Sequence, residues 1–492
     1  MKTIIALCLS IISFCLPFIA SAQEEPFTLD EVVVTATRYK EPVSSVPAHI
    51  TVITEEDIQN SPAKDIPELL RTEVGIHVND ITGNRRNYTV DLRGFGETAS
   101  SNTLVLVDGR RLNQADLSGV DWTLIPLESV RRIEIIRGGS GSILYGDNAA
   151  GGVINIITKE GEAMKAGGEF AGGSYDTFKA GAYAAGNYKN LYYYFSGNYL
   201  TSDGYRENSD TEARDTGMNL NYCANDYLKL RFRAGYHKDD TGLPGALKDS
   251  DLAAGVSRTD SLHPDDFMEV EDYYFEGGPE FNFLGDNIFK IDMSFRKRDF
   301  LTFSSGDFGN FKGDSVIETV TVSPQVLLKN SVGRAENTLT LGFDYIKAEN
   351  DIVNKSLFFG DFSIGIFDLK KKNYGYYLHD EISISDSLYV SGGFRHDRAE
   401  FTFDPSTPDR VDMRKDLYTV GVNYNIKGKS HAYFSFSRSY RYPLLDELYS
   451  FFTNTVNTEL EPQSSDDYEI GARYYFTDAM YAHANFFRID TD

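Results

Sequence analysis

Cysteine and histidine are scarce in this 492-residue chain, which has three cysteines, one tryptophan and eight scattered histidines. No Cys–His or Ser–His–Asp pattern of the kind covalent catalysis requires can be picked out, so an enzymatic role is not expected. Cations are also in deficit, with 48 Lys and Arg against 73 Asp and Glu and a formal net charge of -25. A chain this acidic has no electrostatic footprint for nucleic acid. Beyond the N-terminus no run reaches the roughly 18 uninterrupted apolar residues of a spanning helix. Helical membrane proteins are thereby excluded, and an exported soluble protein or a β-barrel remains.

The N-terminus points to export. Lys2 precedes an apolar run over residues 4–19, and Ala20-Ser21-Ala22 fits a small-residue cleavage site. Residues 1–22 therefore read as a signal peptide, with Gln23 as the mature start. Cys8 and Cys15 would leave with it, so Cys223 would be the one mature cysteine and no intramolecular disulfide could form.

Aromatic residues, by contrast, are abundant: 31 Tyr and 33 Phe, 13% of the chain together with the tryptophan. Tyrosine suits a membrane–water interface. From residue 166 apolar and polar side chains alternate at period two. Leu228, Leu230, Phe232, Ala234 and Tyr236 alternate with Lys229, Arg231, Arg233 and His237, and Ala432, Phe434 and Phe436 with Tyr433, Ser435 and Ser437. A soluble sandwich alternates too, so connector length has to decide. Short turns are expected near 188–190, 224–226, 284–287, 384–387, 426–429 and 477–478. Long polar loops are expected near 201–214, 238–269, 301–315, 348–372, 401–414 and 441–463. Alternating short and long connectors are the mark of a transmembrane barrel. About 15 strands fit before Asp492, whereas single-chain bacterial barrels use even numbers.

Residues 45–160 read differently, as a small α/β domain. Strands are expected at 50–53, 76–79, 89–92, 104–107, 133–136 and 153–157. Thr54 is placed to N-cap a helix with Asp57 in the capping-box position, and Ser61-Pro62 to start a second helix through Leu70. Between residues 138 and 152 lies a glycine-rich segment. It is not a nucleotide-binding loop, since no Lys-Ser or Lys-Thr follows at the required offset. Nor is it G-x-G-x-x-G, since Leu144 takes the last place after Gly139 and Gly141.

The wording of this region resembles a known family. Arg137-Gly-Gly, Leu144-Tyr-Gly and Gly151-Gly-Val-Ile-Asn-Ile-Ile-Thr-Lys159 resemble the end of the plug domain of TonB-dependent outer-membrane receptors. Val90-Asp-Leu-Arg-Gly-Phe-Gly96 and Leu104-Val-Leu-Val-Asp-Gly-Arg110 resemble two earlier plug motifs, in the family's order. Gly139 departs from it, standing where the family usually has proline. The resemblance implies a plug at 45–160 inside a transmembrane antiparallel β-barrel at 161–492. The family's barrel has 22 strands, so about seven would be missing and the sequence would be C-terminally truncated. Within the lead segment 23–44, residues Asp30, Glu31, Val32, Val33, Val34, Thr35 and Ala36 resemble the TonB box, which adds as a strand to TonB.

Further expectations come from the same resemblance. The function would be TonB-dependent uptake of a scarce metal chelate, a ferric siderophore or cobalamin, by a monomer in the outer membrane. TonB and its inner-membrane energising complex would be the protein partners. A passive porin or adhesin barrel, or a non-functional receptor fragment, is the alternative. Arg93 and Arg137 match plug arginines that pair with barrel glutamates, and Glu469 matches one such partner. Plug loops expected to face the ligand carry Asn84, Arg85, Arg86, Asn87, Glu97, Ser100, Asp116 and Trp122. Tyr440-Arg-Tyr-Pro443, Asp446-Glu-Leu-Tyr449 and Glu459-Leu-Glu-Pro462 resemble the family's long-loop motif, and no histidine lies between Arg441 and Glu461 as a haem receptor would have. No resident cofactor is expected. The acidic run Asp203, Glu207, Asp210, Glu212 and Asp215 could hold Ca²⁺, but its spacing is no EF-hand and solvated loop charge is the better reading.

Overall fold

Thr54 opens the first helix of the N-terminal half as its spacing to Asp57 dictates. Its hydroxyl accepts from the Asp57 amide while the Asp57 carboxylate accepts from the Thr54 amide, so two orphan donors are satisfied reciprocally at the start of Glu55–Asn60. A computed structural model describes residues 32, 33, 35–81, 88–333, 335–477 and 480–492. The second helix is shorter than expected. It spans Ile66–Leu70 and is capped by Asp65, whose side chain accepts from the Glu68 amide, with Pro67 in its first turn. Ser61 instead closes the first helix in extended geometry, so Ser61-Pro62 starts nothing.

Five strands form one small sheet in the order His49–Ile53, Val130–Arg137, Gly152–Thr158, Thr103–Val107 and Arg110–Arg111. The pairing of Thr103–Val107 with Gly152–Thr158 is parallel and the other three are antiparallel. A hairpin of Ile76–Asp80 and Tyr88–Leu92 packs beside it. Both faces are covered, and the runs Leu104-Val105-Leu106-Val107 and Val153-Ile154 are buried throughout, as parallel strands require. Gly152 shows what the glycines are for. Its φ is 145°, and a β-carbon there would stand 2.3 Å from the Ile136 carbonyl oxygen.

Apart from two short pairs, Val32–Val33 with Glu41–Pro42 and Tyr449–Ser450 with Thr455–Val456, the remaining strands form a single 15-stranded antiparallel meander in chain order, from Lys165–Gly172 to Met480–Thr491. Its burial is inverted. Leu230, Phe232 and Tyr236 are 42, 40 and 38% exposed, while Arg233 and His237 on the other face are 8 and 3% exposed. Phe434 is likewise exposed, and Ser435 and Ser437 are buried. In a sandwich the apolar face would be covered, so this is a barrel wall with lipid outside and a polar lumen. The small α/β unit fills that lumen. It touches the wall at Lys179, Glu276, Arg296 and Asn485, and the lead segment adds contacts to Asp344 and Asn423.

Two of the expected long loops are strand. Asn287–Gly306 and Gly309–Val332 meet across two residues, and so do Ala335–Phe358 and Asp361–Ser385. The 401–414 connector shrinks to five residues between Leu388–Asp404 and Arg410–Lys427. The ladder runs on through both stretches, and 348–372 keeps apolar residues at alternate positions, with Phe362, Ile364 and Ile366 at 64, 54 and 69% exposure, so it is strand rather than polar loop. The turn after Gly309–Val332 was also not expected. Phe308 and Phe359 sit at neighbouring strand tips with ring centroids 5.4 Å apart. Leu191–Ser202 to Thr211–Asn225, Leu228–Gly242 to Phe267–Phe283, and Ser430–Arg441 to Gln463–Thr477 keep the longer connectors.

Candidate functional site

Three layers of contact join plug and wall. At the mouth, on the side of the longer connectors, the plug loop around Ala115–Leu117 meets the segment after Ser430–Arg441. That segment turns into a short helix, Leu445–Leu448, whose first amide donates to the Ala115 carbonyl at 2.9 Å. The Leu117 amide in turn donates to Asp446 Oδ2 at 3.2 Å. Arg441 and the Leu444 amide both bond Glu447 Oε2, at 2.7 and 2.8 Å, which fixes the helix start. Aromatic packing holds the segment to the wall. Tyr449 stacks on Phe403 with centroids 5.7 Å apart and meets Phe367 edge-on at 5.7 Å, while the Tyr442 hydroxyl donates to the Asp397 carbonyl at 3.1 Å.

Asp446 and Asp116 are the acidic pair of this mouth. Burial first, and then the neighbouring Asp116, push the Asp446 carboxyl up to about 6. Asp116 itself accepts from Ser118, and at 3.4 Å from Asn350 on the wall. Of the other residues expected to face a ligand, Glu97 is exposed and Ser100 half-buried. Trp122 is not available. It is 3% exposed inside the plug core, among Val120, Ile125 and Val130, because the turn Trp122–Leu124 folds its apolar side chain under the sheet. Asn84, Arg85, Arg86 and Asn87 lie outside the described residues.

At mid-depth Arg93 reaches the wall. Its guanidinium pairs with Glu469, donates to Asn485 Oδ1 at 3.1 Å and lies 3.8 Å over the Phe487 ring. Glu469 also accepts from the Tyr433 hydroxyl and from Asn485 Nδ2, both at 2.6 Å. Arg137 does not join this pair. Its two terminal nitrogens donate to Thr51 Oγ1 at 2.7 Å and to the Val74 carbonyl at 2.9 Å, inside the plug. The strand Val130–Arg137 pairs with His49–Ile53, which points Arg137 at its own sheet partner rather than at the wall. Asp467 takes the wall position nearby and accepts from the Gly139 amide at 3.1 Å. A β-carbon on Gly138, whose φ is 78°, would stand 2.1 Å from Asp467 Oδ2.

Several plug–wall contacts had no herald in the motifs quoted above. Arg395 donates to the plug's Ile143 carbonyl at 3.4 Å and is held from within the wall by Asp344 at 2.7 Å and Asp397 at 2.8 Å. Lys371 binds Asp147 at 2.7 Å, and Asp147 also accepts from the Tyr442 amide at 2.9 Å. The signal available was a basic residue in the polar phase of an alternating strand, as Arg395 and Lys371 are. It marks the lumen without naming a partner.

On the underside, the lead segment is tied to the plug and to the short-turn ends of the wall. Thr35 donates through its amide and hydroxyl to Glu134 Oε2 at 2.8 and 2.5 Å and accepts from Asn155 at 2.9 Å. Val33 is 1% exposed against Val43, Val46 and Ile136. Arg38 binds Asp344 at 3.5 Å and donates to the Tyr377 hydroxyl at 2.7 Å and to the Leu144 carbonyl. Asp30, Glu31 and Val34 lie outside the described residues. Among the described residues no cluster of three His, Cys, Asp or Glu is arranged to hold a metal ion. In the acidic run Asp203, Glu207 and Asp210 are exposed, and Asp215 faces inward to His237 Nδ1 at 2.6 Å.

Comparison with known proteins agrees with this architecture. Residues 42–153 match the TonB-dependent receptor plug domain model, and residues 163–492 match the TonB-dependent receptor-like β-barrel model. The vitamin B12 transporter BtuB of Vibrio vulnificus is 25% identical over 464 residues, which cover 91% of this chain and 68% of that protein. BtuB of Photobacterium profundum is 35% identical over 268 residues, covering 51% of this chain and 43% of its own length. The unliganded ferric citrate transporter FecA superposes with a TM-score of 0.80 at 18% identity, over 91% of this chain and 70% of FecA.

Proposed function

This chain belongs to the TonB-dependent receptor family, whose β-barrels lie in the outer membrane, and from that premise we propose that it takes up a scarce chelate of the siderophore or vitamin B12 class. The ligand binds at the mouth, between the Ala115–Leu117 loop and the Leu445–Leu448 segment. The box at 30–36 then passes to TonB, whose pull opens a way past the plug. Arg93 and Glu469 seat the plug against that pull.

One observation carries the reading most: the lead segment is wired into the plug core itself. Thr35 is bound to Glu134 and Asn155 on the two central strands, so force applied at the box acts directly on the sheet that blocks the lumen. A strand that adds to a partner's sheet can bear such a load, because many main-chain bonds share it. BtuB and FecA, whose names state vitamin B12 and ferric citrate, mark the cargo classes to try first.

The test is uptake of labelled cobalamin and a panel of ferric chelates by cells expressing the intact protein, with and without TonB. Accumulation that needs TonB and is abolished by Thr35→Pro supports the reading. Uptake that persists without TonB would make this a passive pore.

A further inference from the structure

The lead segment folds back on itself, with Val32–Val33 paired to Glu41–Pro42 and Val33 directly across from Glu41. Beside this fold stands the short-turn end of the wall, where Glu381 lies four residues before the end of Asp361–Ser385. The Glu41 and Glu381 carboxyl groups come within hydrogen-bonding reach of each other. The Glu381 side chain is 13% exposed and also accepts from the Tyr39 hydroxyl. Glu41 Oε2 is buried and, taken as a carboxylate oxygen, has no hydrogen-bond partner.

No cation answers these two acids. Arg38 is turned to Asp344 and the Tyr377 hydroxyl, and Lys40 is exposed. Lys329 lies 5.5 Å over the Tyr39 ring rather than on a carboxylate. His379, on the same wall strand as Glu381, has its Nδ1 unbonded and 3.7 Å from Glu381 Oε2. Asp380 is bound by Asn337. Ser45 and Tyr389 complete the surroundings of Glu41, with Glu336 and Asp386 beyond Tyr389. Among the described residues neither glutamate forms an ion pair with Lys or Arg.

Two buried carboxylates in contact cannot both stay ionised. One proton between them turns the contact into an O–H···O bond and gives Glu41 Oε2 the partner it lacks. Burial, and then the charge of Glu381, push the Glu41 carboxyl up to about 8, so Glu41 is the acid that keeps the proton.

We propose that Glu41 and Glu381 form a proton-dependent latch that holds the lead segment against the wall. While the proton is shared the segment stays docked, and when the proton leaves to solvent two facing charges push it off. The latch itself rests on these contacts and on no cargo or partner. Only its consequence, that the box is surrendered more readily at pH 8 than at pH 6, rests on the uptake reading.

The direction follows from linkage. A free glutamate titrates at roughly 4.3, so between there and about 8 the docked form carries a proton that the released form has lost. Docking is strongest below that window, weakens by about tenfold for each pH unit within it, and levels off above it. Deuterium exchange at the Thr35 amide of the intact protein, corrected for intrinsic rate, reads release, because that amide leaves Glu134 when the segment departs. Protection should fall about tenfold per pH unit between pH 5.5 and 7.5. Glu41→Gln, whose amide donates to Glu381 at any pH, should hold protection constant over that range. Glu381→Gln should lessen the slope from the wall side and covers the case in which Glu41→Gln misfolds. His379→Gln should keep it. Protection independent of pH in the unaltered protein overturns the proposal. So does a slope unchanged in either glutamate variant, or one that disappears with His379→Gln.

Discussion

Glu469 is where a single side chain matters most to the plug. It holds Arg93, Tyr433 and Asn485 together in a place almost without solvent. Replacing one partner of a buried pair leaves the other charged and unmatched, at a cost of about 3–5 kcal/mol. Glu469→Ala should therefore loosen the plug selectively. The one tryptophan makes this measurable, since Trp122 is buried in the plug core and its emission reports that domain alone. The expected outcome is a lower urea midpoint for the Trp122 red shift, with greater entry of large antibiotics. An unchanged midpoint would mean that Glu469 does not seat the plug. Asp446 gives a second test at this scale. Its carboxyl is raised to about 6 when the mouth segment is docked, against roughly 3.9 for a free aspartate. The docked form thus binds a proton that the undocked form has released, so docking is favoured as pH falls from about 6 toward 4 and is penalised above. Hydrogen exchange at Leu117, corrected for intrinsic rate, should be slower at pH 5 than at pH 7.5. Asp446→Asn should abolish the difference.

Among elements, the lead segment is the one on which the mechanism turns. Val33 and Thr35 are held by packing and by two central-strand side chains, and Arg38 is locked between the Tyr145 and Tyr377 rings. Val33→Asp would bury a carboxylate without a partner, which the segment can relieve only by leaving the plug. Trypsin cleavage after Arg38 should then accelerate at least about tenfold, since proteolysis tracks the open population. Equal cleavage rates would mean that the segment is already free. Elements differ in how far they could be read from sequence. The Thr54–Asp57 helix start was legible because capping is a local bond, and so were the barrel strands, because alternation is a property of each strand alone. The second helix was misplaced because Pro62 and Pro67 both suit a first turn, and only the Asp65 side chain decides between them. The ribbon over 348–372 was read as a loop although Phe362, Ile364 and Ile366 alternate there as in a strand; its length, beyond what a membrane span needs, hid it. Arg93 and Glu469 came together as the resemblance implied, while Arg137 turned inward, a direction set by strand register across 86 residues to Thr51.

At the level of the whole molecule, the argument rests on burial being inside out. Along the fifteen strands apolar side chains face outward and charged ones inward, where some meet the plug and others pair along the wall. The class was legible from connectors of alternating length on top of strand alternation, but the pairing of plug with wall was not, because Arg93 meets Glu469 and Asp147 meets Lys371 across hundreds of positions. Inversion also makes a direct prediction about orientation in a membrane. Phe434 is 46% exposed on the outer face, while Trp122 is enclosed by the plug core. A Phe434→Trp variant therefore carries one indole in lipid and one shielded from it. In vesicles containing dibrominated lipid, the emission added by the new tryptophan should be strongly quenched, whereas wild-type emission from Trp122 should barely change. If the added tryptophan is untouched, the outer face is not in lipid and the wall is no barrel. If Trp122 is quenched as well, the plug does not fill the lumen, and the seating contacts through Arg93 and Glu469 cannot hold in the membrane.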